Sequence, residues 1–552
     1  MTHMAEEMKK LTEQLVSIGS VNGTFGEKEV ALFIEGYLRE IPYFKEHPQQ
    51  VIIQPLEKDT LNRRNVFALV KGEKNHTEET IIFHGHMDTV GIEDYGGLKA
   101  YAWNPKELKE KMLAMELPEE VRRDLESDDW MCGRGACDMK SGVAVFMVLL
   151  KYFSKHVEEL SGNILLSVNP VEENLHTGII EGRKVLEELQ EKENLHYILA
   201  INNDYTCPLY EGDTNHYLYT GAVGKLLPCF YVQGKETHVG QCFEGFDASV
   251  AAAKLAERIS LNTEFCDVYE GESTLPPSVL KLKDLKDFYN VQTAFSALVY
   301  FNYFVHNASM ESIVAKLKQA GEEVFAEMEN SMNEQYTKYC KISKTAGKEV
   351  HYHKKVYTYE ELYQAVTEKK SKIEKSKVIE DIEELTKQEE EKGTDKREIP
   401  VAIIRYLLEA LGEKRPVMVL YFAAPYCPHN TLKQEVEEER KLYETIRRIA
   451  GDGYKILQFF PSLSDSSYLK IDDEMSGVEL LLSNFPAYHK LYPVPLKEIK
   501  KLNIPAVNYG VYGKDAHKWT ERVYMPYSFE TLPKLIIKTV EHFLESEEKI
   551  CL

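Results

Sequence analysis

Apolar positions recur with two different periods along this chain. Leu11 to Ile18 and Glu27 to Ile41 carry them at helical spacing. That spacing lines one face of a helix, so both segments predict amphipathic helices. Asn65 to Lys71 and Glu79 to Phe83 are short apolar runs and predict buried strands. Gly142 to Phe153 is apolar on most sides and predicts a buried helix, with Asn163 to Asn169 and Tyr197 to Asn202 as further strands. Strands alternating with helices predict an α/β sheet covered by helices.

The pattern breaks near Gly221 and Gly224. Lys225 to Val232 and Val417 to Ala423 predict strands at the two ends of a second region, which runs to residue 428. Between them lies a polar stretch from Met310 to Lys396, and Glu368 to Glu398 is almost all charge. Sparse apolar residues among dense charge predict a solvated helical pair or a partly ordered excursion rather than a binding tail. Beyond residue 430 the first pattern returns: a helix from Gln434 to Ile449, strands from Lys455 to Phe460 and Ala506 to Gly510, and a last helix from Tyr527 to Glu545. One domain (1–220 and 429–552) is therefore expected to be interrupted by another (221–428). A chain of 552 residues is too long for a single core.

Composition narrows the function. A 43% hydrophobic content fits a soluble globular chain. A net charge of −22 argues against nucleic acid or an anionic membrane as partner. The first ten residues carry no apolar h-region, which predicts no secretory signal. The longest apolar helix candidate, Val143 to Leu150, is too short to span a bilayer. Nine cysteines without a Cys-x-x-Cys motif suit reduced thiols in a cytoplasm, so a cytoplasmic location is expected.

The chemistry sits at strand ends. The strand Thr80 to Phe83 runs into His84-Gly85-His86-Met87-Asp88. Residues two apart in a strand point the same way, so His86 and Asp88 converge just past its end. A carboxylate behind a metal-ligating imidazole fixes its tautomer; a hydrogen-bonded pair closing a turn is the plainer alternative. Gly133-Arg134-Gly135-Ala136-Cys137-Asp138 makes a tight turn that places Asp138 before a helix, where an acid is favoured; an ordinary N-cap would look the same. Glu172-Glu173 follows the strand at Val168, and two adjacent glutamates are costly to desolvate together without a cation; surface exposure would remove that cost. Asp204 ends another apolar strand, and His517 follows the glycines after Tyr509. Together these make a set of imidazole and carboxylate donors beyond the strands of one interrupted sheet. Such a mixture suits zinc, with cobalt or manganese as alternatives. Two ions bridged by one carboxylate make a two-metal hydrolytic site.

In this order the segments resemble the M20 family of metallopeptidases and aminoacylases. The resemblance implies a mixed-sheet, zinc-peptidase-type catalytic domain of the α/β class, interrupted by an α+β lid and dimerisation domain. It implies two divalent metal ions. His86 would bind one metal with Asp88 as its orienting partner, and Asp138 would bridge the two. Glu172 would be the general base and Glu173 a ligand of the second metal. Asp204 would complete the first metal site, and His517 the second. His84 shares the strand parity of His86 but has no counterpart ligand in the family, so it is expected to be structural. In the inserted region, Gly234-Lys235-Glu236-Thr237-His238-Val239-Gly240 matches a family setting in which a histidine reaches the substrate carbonyl, often across a homodimer. His238 is the candidate for that role. Ser464-Asp465 matches a family segment near the site, without an assigned role. The family often has a cis peptide after the bridging aspartate, which puts one at Asp138-Met139.

The departures matter too. Many members carry an Asp-x-Arg on a lid strand, whose arginine binds a substrate carboxylate. The nearest strand here reads Ala297-Leu298-Val299-Tyr300-Phe301-Asn302-Tyr303-Phe304, without that arginine. The long lid and layout look like the arginine-utilisation (RocB-like) branch. The expected activity is hydrolysis of an amide bond in an N-acyl amino acid or small peptide, within amino-acid (arginine) catabolism. Two alternatives stay open: a carbamoyl or amidino hydrolase on the same scaffold, and a metal-binding regulatory protein without turnover.

Overall fold

Eight strands build the larger sheet. Their spatial order is Val51–Pro55, Arg64–Lys71, Asn163–Asn169, Glu79–His86, His196–Asn202, Ala506–Asn508, Tyr217–Tyr219 and Lys455–Leu457. The structure, a computed structural model, describes residues 2–368 and 370–545. Four central strands run parallel, with Glu79–His86 between Asn163–Asn169 and His196–Asn202, and Ala506–Asn508 beside the last. Arg64–Lys71 and Val51–Pro55 extend the sheet antiparallel at one side. A mixed sheet with parallel strands at its centre is buried on both faces, which explains why those strands read as unbroken apolar runs.

The helix Lys140–Phe153 is the main cover. Only Lys151 and Tyr152 on it escape full burial. Its Phe146 ring stacks on Phe83 of the central strand, with centroids 4.6 Å apart. The N-terminal helix Thr2–Val16 packs against it, burying Met8, Leu11 and Leu15. Among the described residues no helix is long and apolar enough to cross a membrane.

The chain divides into two compact units. The first takes the segments up to Ala222, Asn430–Asp472 and from Pro495 onward; the second takes Val223–His429 and Asp473–Val494. Residues 473–494 fall within the stretch that the sequence pattern assigns to the outer domain. Local bonds hold them in the second unit instead. The helix Met475–Ser483 packs on Met310–Ser343, the Asn484 carbonyl accepts from Phe422 N, and its side chain accepts from Glu360 N.

The second unit is α+β. Its sheet runs Ser278–Asp284, Ser296–Val305, Pro228–Gln233, Val417–Phe422 and Lys355–Thr358. The strand expected over Lys225 to Val232 is two strands, Gly224–Leu226 and Pro228–Gln233. The break falls before Pro228, which has no N–H to offer a ladder. The charged stretch forms helices, among them Met310–Ser343 and Lys372–Glu391. Lys372–Glu391 starts at a Ser371/Glu374 capping box and buries Val378 and Ile382 in the core of this unit.

Candidate metal centre

The four parallel strands end at His86, Asn169, Asn202 and Asn508. Their carboxyl ends share one edge of the first unit, where open α/β sheets place their ligands. Asp88, Glu172, Glu173 and Asp204 lie on the loops just beyond. Two glycines allow the close approaches this edge needs. A Cβ on Gly510 would sit 1.9 Å from the Asp204 carbonyl oxygen, and one on Gly142 would sit 2.3 Å from that of Asn203. Only glycine lets these backbones pass so closely. The expected cis peptide at Asp138-Met139 is present.

The donors meet at short range. His86 Nε2 lies 3.1 Å from Asp138 Oδ1. The other oxygen of Asp138 lies 3.1 Å from His517 Nε2, which is 3.0 Å from Glu173 Oε1. One aspartate thus joins two imidazoles, one oxygen to each. Ligand atoms of His86, Asp138 and Glu173 all fall within 4.8 Å of one another. Glu172 turns Oε2 to within 3.9 Å of His86 Nε2. Asp138, Glu172 and Asp204 are buried, whereas half of the His517 side chain is exposed. The cluster is therefore open to solvent on the His517 side.

Asp88 does more than face His86. The His86 Nδ1 lies 3.1 Å from the Asp88 backbone oxygen and 3.6 Å from its carboxylate. The carboxylate accepts from the backbone N–H of Glu172 and of Glu173, each at 3.1 Å, and from Asn22 Nδ2 at 3.0 Å. The carboxylate therefore orders the glutamate turn, while the backbone oxygen of Asp88 is the atom bonded to His86. That turn is strained: Val171, a β-branched residue, sits at φ +70°. A buried carboxylate holds it, since Val171 N donates to Glu27 Oε1 at 3.1 Å.

Charge is the dominant feature. Burial pushes the carboxyl groups of Glu172 and Asp204 well above their usual range, and neighbouring acids push the same way. Burial raises Glu173 too, reinforced by Asp138. Burial opposes a charged ring at His517, but hydrogen bonds to Asp138 and Glu173 raise it to about 11. Asp138 goes the other way: burial opposes its charge, but the His517 and His86 rings hold it ionised. A site that keeps one acid charged, drives Glu172, Glu173 and Asp204 toward their neutral form and draws its histidines toward their charged form has too much negative charge for its dielectric. Cations relieve that excess, and the donor set fits them: imidazoles and carboxylates at a buried strand edge.

Sequence patterns alone missed part of the support. Glu521 is buried and accepts from Cys137 N at 3.1 Å and Asp138 N at 3.3 Å. Arg134 Nη1 donates to it at 2.7 Å and Arg134 Nη2 to Asp94 at 2.8 Å. This pair clamps the turn that presents Asp138. His176 and Asp465 also converge on the glutamate turn, with His176 Nδ1 2.8 Å from Asp465 Oδ1. His84 is buried nearby, 4.0 Å from Asp465. His238 belongs to the second unit; it is exposed, and its Nδ1 accepts from Gly240 N at 3.1 Å.

Known proteins resemble this chain in sequence and fold. The profile of "Peptidase family M20/M25/M40" matches residues 82–404. Protein RocB of Bacillus subtilis (strain 168) is 39% identical over 554 residues, covering 99% of this chain and 96% of that protein. The YqjN protein of the same organism is 34% identical, with 98% and 97% covered. Among solved structures, the aminopeptidase PepT of Bacillus cereus aligns with a TM-score of 0.52 at 15% identity, over 97% of this chain and 98% of that one. The di-peptidase Dug1p of Saccharomyces cerevisiae aligns with a TM-score of 0.51 at 11% identity, over 99% of both chains. The structural likenesses speak for the fold alone. The profile spans more than half the chain and the RocB identity nearly all of it, so this protein belongs to peptidase family M20/M25/M40 and is a metal-binding hydrolase.

Proposed function

We propose that this protein hydrolyses the amide bond of an N-acyl amino acid or a small peptide at a site holding two divalent ions. One observation carries the proposal. His86, Asp138, Glu173 and His517 form an unbroken chain of contacts of 3.0–3.1 Å at a buried, carboxylate-rich strand edge. In this reading Asp138 would serve both ions, His86 and Asp204 would hold one, and Glu173 and His517 would hold the other. Asp88 orients His86. Zinc fits these donors, with cobalt or manganese as alternatives.

Two such ions would supply positive charge for the scissile carbonyl and acidify water at the site. The chain's own part is proton handling. Glu172 takes the proton of the attacking water and returns it to the leaving nitrogen. Its burial suits that work, because burial favours the protonated carboxyl and so makes the group a stronger base. His238 is assigned the electrophilic role toward the substrate oxygen, on the strength of its Gly-x-x-x-His-x-Gly setting. The likeness to RocB directs the choice of leaving group toward arginine and related amino acids, in amino-acid catabolism.

The test is metal-reconstituted protein against a panel of N-acyl amino acids and dipeptides weighted toward acylated arginine and ornithine. Ammonia is measured in parallel to detect carbamoyl or amidino hydrolysis. Glu172→Ala is expected to retain both ions and lose turnover by about 10³–10⁴-fold. Wild-type turnover in that variant would remove Glu172 from the mechanism. Bound metal without turnover across the whole panel would favour a regulatory protein.

A further inference from the structure

Glu172 has a second neighbourhood. Its Oε2 faces His86, and its Oε1 faces His176 Nδ1 at 3.9 Å. That Oε1 is buried and makes no hydrogen bond. His176 is in turn bonded to Asp465, with Nδ1 2.8 Å from Oδ1. Neither His176 nor Asp465 has more than 2% of its surface exposed. Both come from outside the ligand set. His176 caps the start of the helix Thr177–Glu193 at φ +53°, and Asp465 opens a short 3₁₀ turn. That turn is anchored by Ser464, whose Oγ accepts from Asn202 Nδ2 at 3.0 Å and from Ser466 N at 3.2 Å.

An ionised carboxylate only accepts, so the His176–Asp465 bond places the ring proton on Nδ1. The same bond fixes the ring plane, as a carboxylate does for a histidine elsewhere. The fixed ring then lies beside Glu172 Oε1, a buried oxygen that makes no hydrogen bond. A glutamate's terminal torsion is broad and roughly two-fold, so its carboxylate orientation is set by neighbours. Here one neighbour stands on each side: His86 in front and His176 behind.

We propose that Asp465 and His176 are positioning residues for Glu172. Asp465 locks the His176 ring, and the ring backs the rear oxygen of Glu172 by packing, without a hydrogen bond, so that the front oxygen faces the donor cluster. This rests on Glu172 acting as the base. It gives a role to Ser464-Asp465, a segment that the proposed mechanism otherwise leaves idle. The rival occupant is a third ion. Ligand atoms of Glu172, His176 and Asp465 lie within 4.8 Å of one another, so a metal count is part of the test.

The experiment compares full-length, metal-reconstituted Asp465→Asn, His176→Asn, His176→Leu and Glu172→Ala with wild type, on the N-acyl amino acid or dipeptide that wild type cleaves fastest. Asp465→Asn is expected to lower kcat about 10–100-fold, in the range seen when a carboxylate that orients a histidine is removed. KM should stay within about two-fold and the ion count at two, with the unfolding midpoint near wild type. His176→Asn retains an N–H for Asp465 and should keep at least about five-fold more turnover than His176→Leu, consistent with the orienting bond. An unchanged kcat in Asp465→Asn overturns the proposal, as does an effect confined to KM or the loss of an ion. If Asp465→Asn does not fold, equal turnover in the two His176 variants overturns it. Glu172→Ala separates the layers. An active Glu172→Ala means the base assignment itself is wrong; an inactive one beside a normal Asp465→Asn means only the positioning role is.

Discussion

Glu172 stands between two clusters made of the same side-chain types, and they differ in balance and access. In front, two imidazoles meet Asp138, Glu173 and Asp204, and the His517 side chain is half exposed. Behind, His84 and His176 face one aspartate, Asp465, and all three are buried. The front has more acid than its histidines can offset, and a path to solvent. In the rear, one oxygen of the aspartate, Oδ1, is bonded to one imidazole at 2.8 Å. A His/Asp/Glu cluster is thus not a metal site by composition alone. In the proposed reading, excess negative charge and access suit the front to cations, and burial suits the rear to holding a side chain still.

His86 breaks this comparison most sharply. His86→Leu removes the front imidazole and leaves Asp138 and Glu172 without their shared neighbour. If the front holds the ions, the variant loses one or both, and turnover falls by at least about 10³-fold, as loss of several kcal/mol of charge stabilisation requires. Metal content after dialysis and kcat/KM together check it. Two retained ions would move the metal site elsewhere.

That front cluster was largely visible along the chain, and the rear one was not, for a physical reason. His86, Glu172 and Asp204 each follow an apolar run, so strand periodicity alone places them at a sheet edge. Burial on both faces made those runs conspicuous. The His176–Asp465 bond joins residues 289 apart, and the Glu521 bonds to Cys137 and Asp138 span 384 and 383 residues. No local pattern marks such pairs. Glu521 lies in the same segment as His517, but its partners, the Arg134 guanidinium and the backbone N–H groups of Cys137 and Asp138, are distant in sequence and leave no local pattern. The same holds for residues 473–494, whose place in the second unit depends on long-range bonds from Asn484.

Asp88 tests how the front is held. Asp88→Asn keeps the shape but sets an amide against two backbone N–H donors, those of Glu172 and Glu173. Burial works to raise the Asp88 carboxyl, and the His86 ring together with the Glu173 N–H more than offsets it, so the native group is charged. The substitution should weaken metal affinity or turnover about 10–100-fold, the range found for outer partners of metal ligands. Metal titration and kcat separate the two effects. A change in kcat without one in affinity would place the main influence of Asp88 on the glutamate turn rather than on His86.

His84 should give the smallest effect, and it is the sharpest control for His86. The two histidines share a strand and point the same way, so one geometry applies to both. The environments differ. Neither ring nitrogen of His84 has a hydrogen-bond partner, and its closest charged neighbour, Asp465 Oδ2, is 4.0 Å away. Burial lowers its pKa to about 4, so the ring is neutral at pH 7. An unpartnered buried polar group carries a desolvation cost, and an apolar side chain of similar volume removes it. His84→Leu should therefore change stability by no more than about 1 kcal/mol, in either direction. It should leave two ions bound and turnover within about three-fold of wild type, because it touches neither ion nor base in the proposed site. Thermal unfolding, metal analysis and kcat on one preparation decide it. A loss of metal in His84→Leu as large as that in His86→Leu would erase the distinction between front and rear, and the two clusters would have to be treated as one extended metal site.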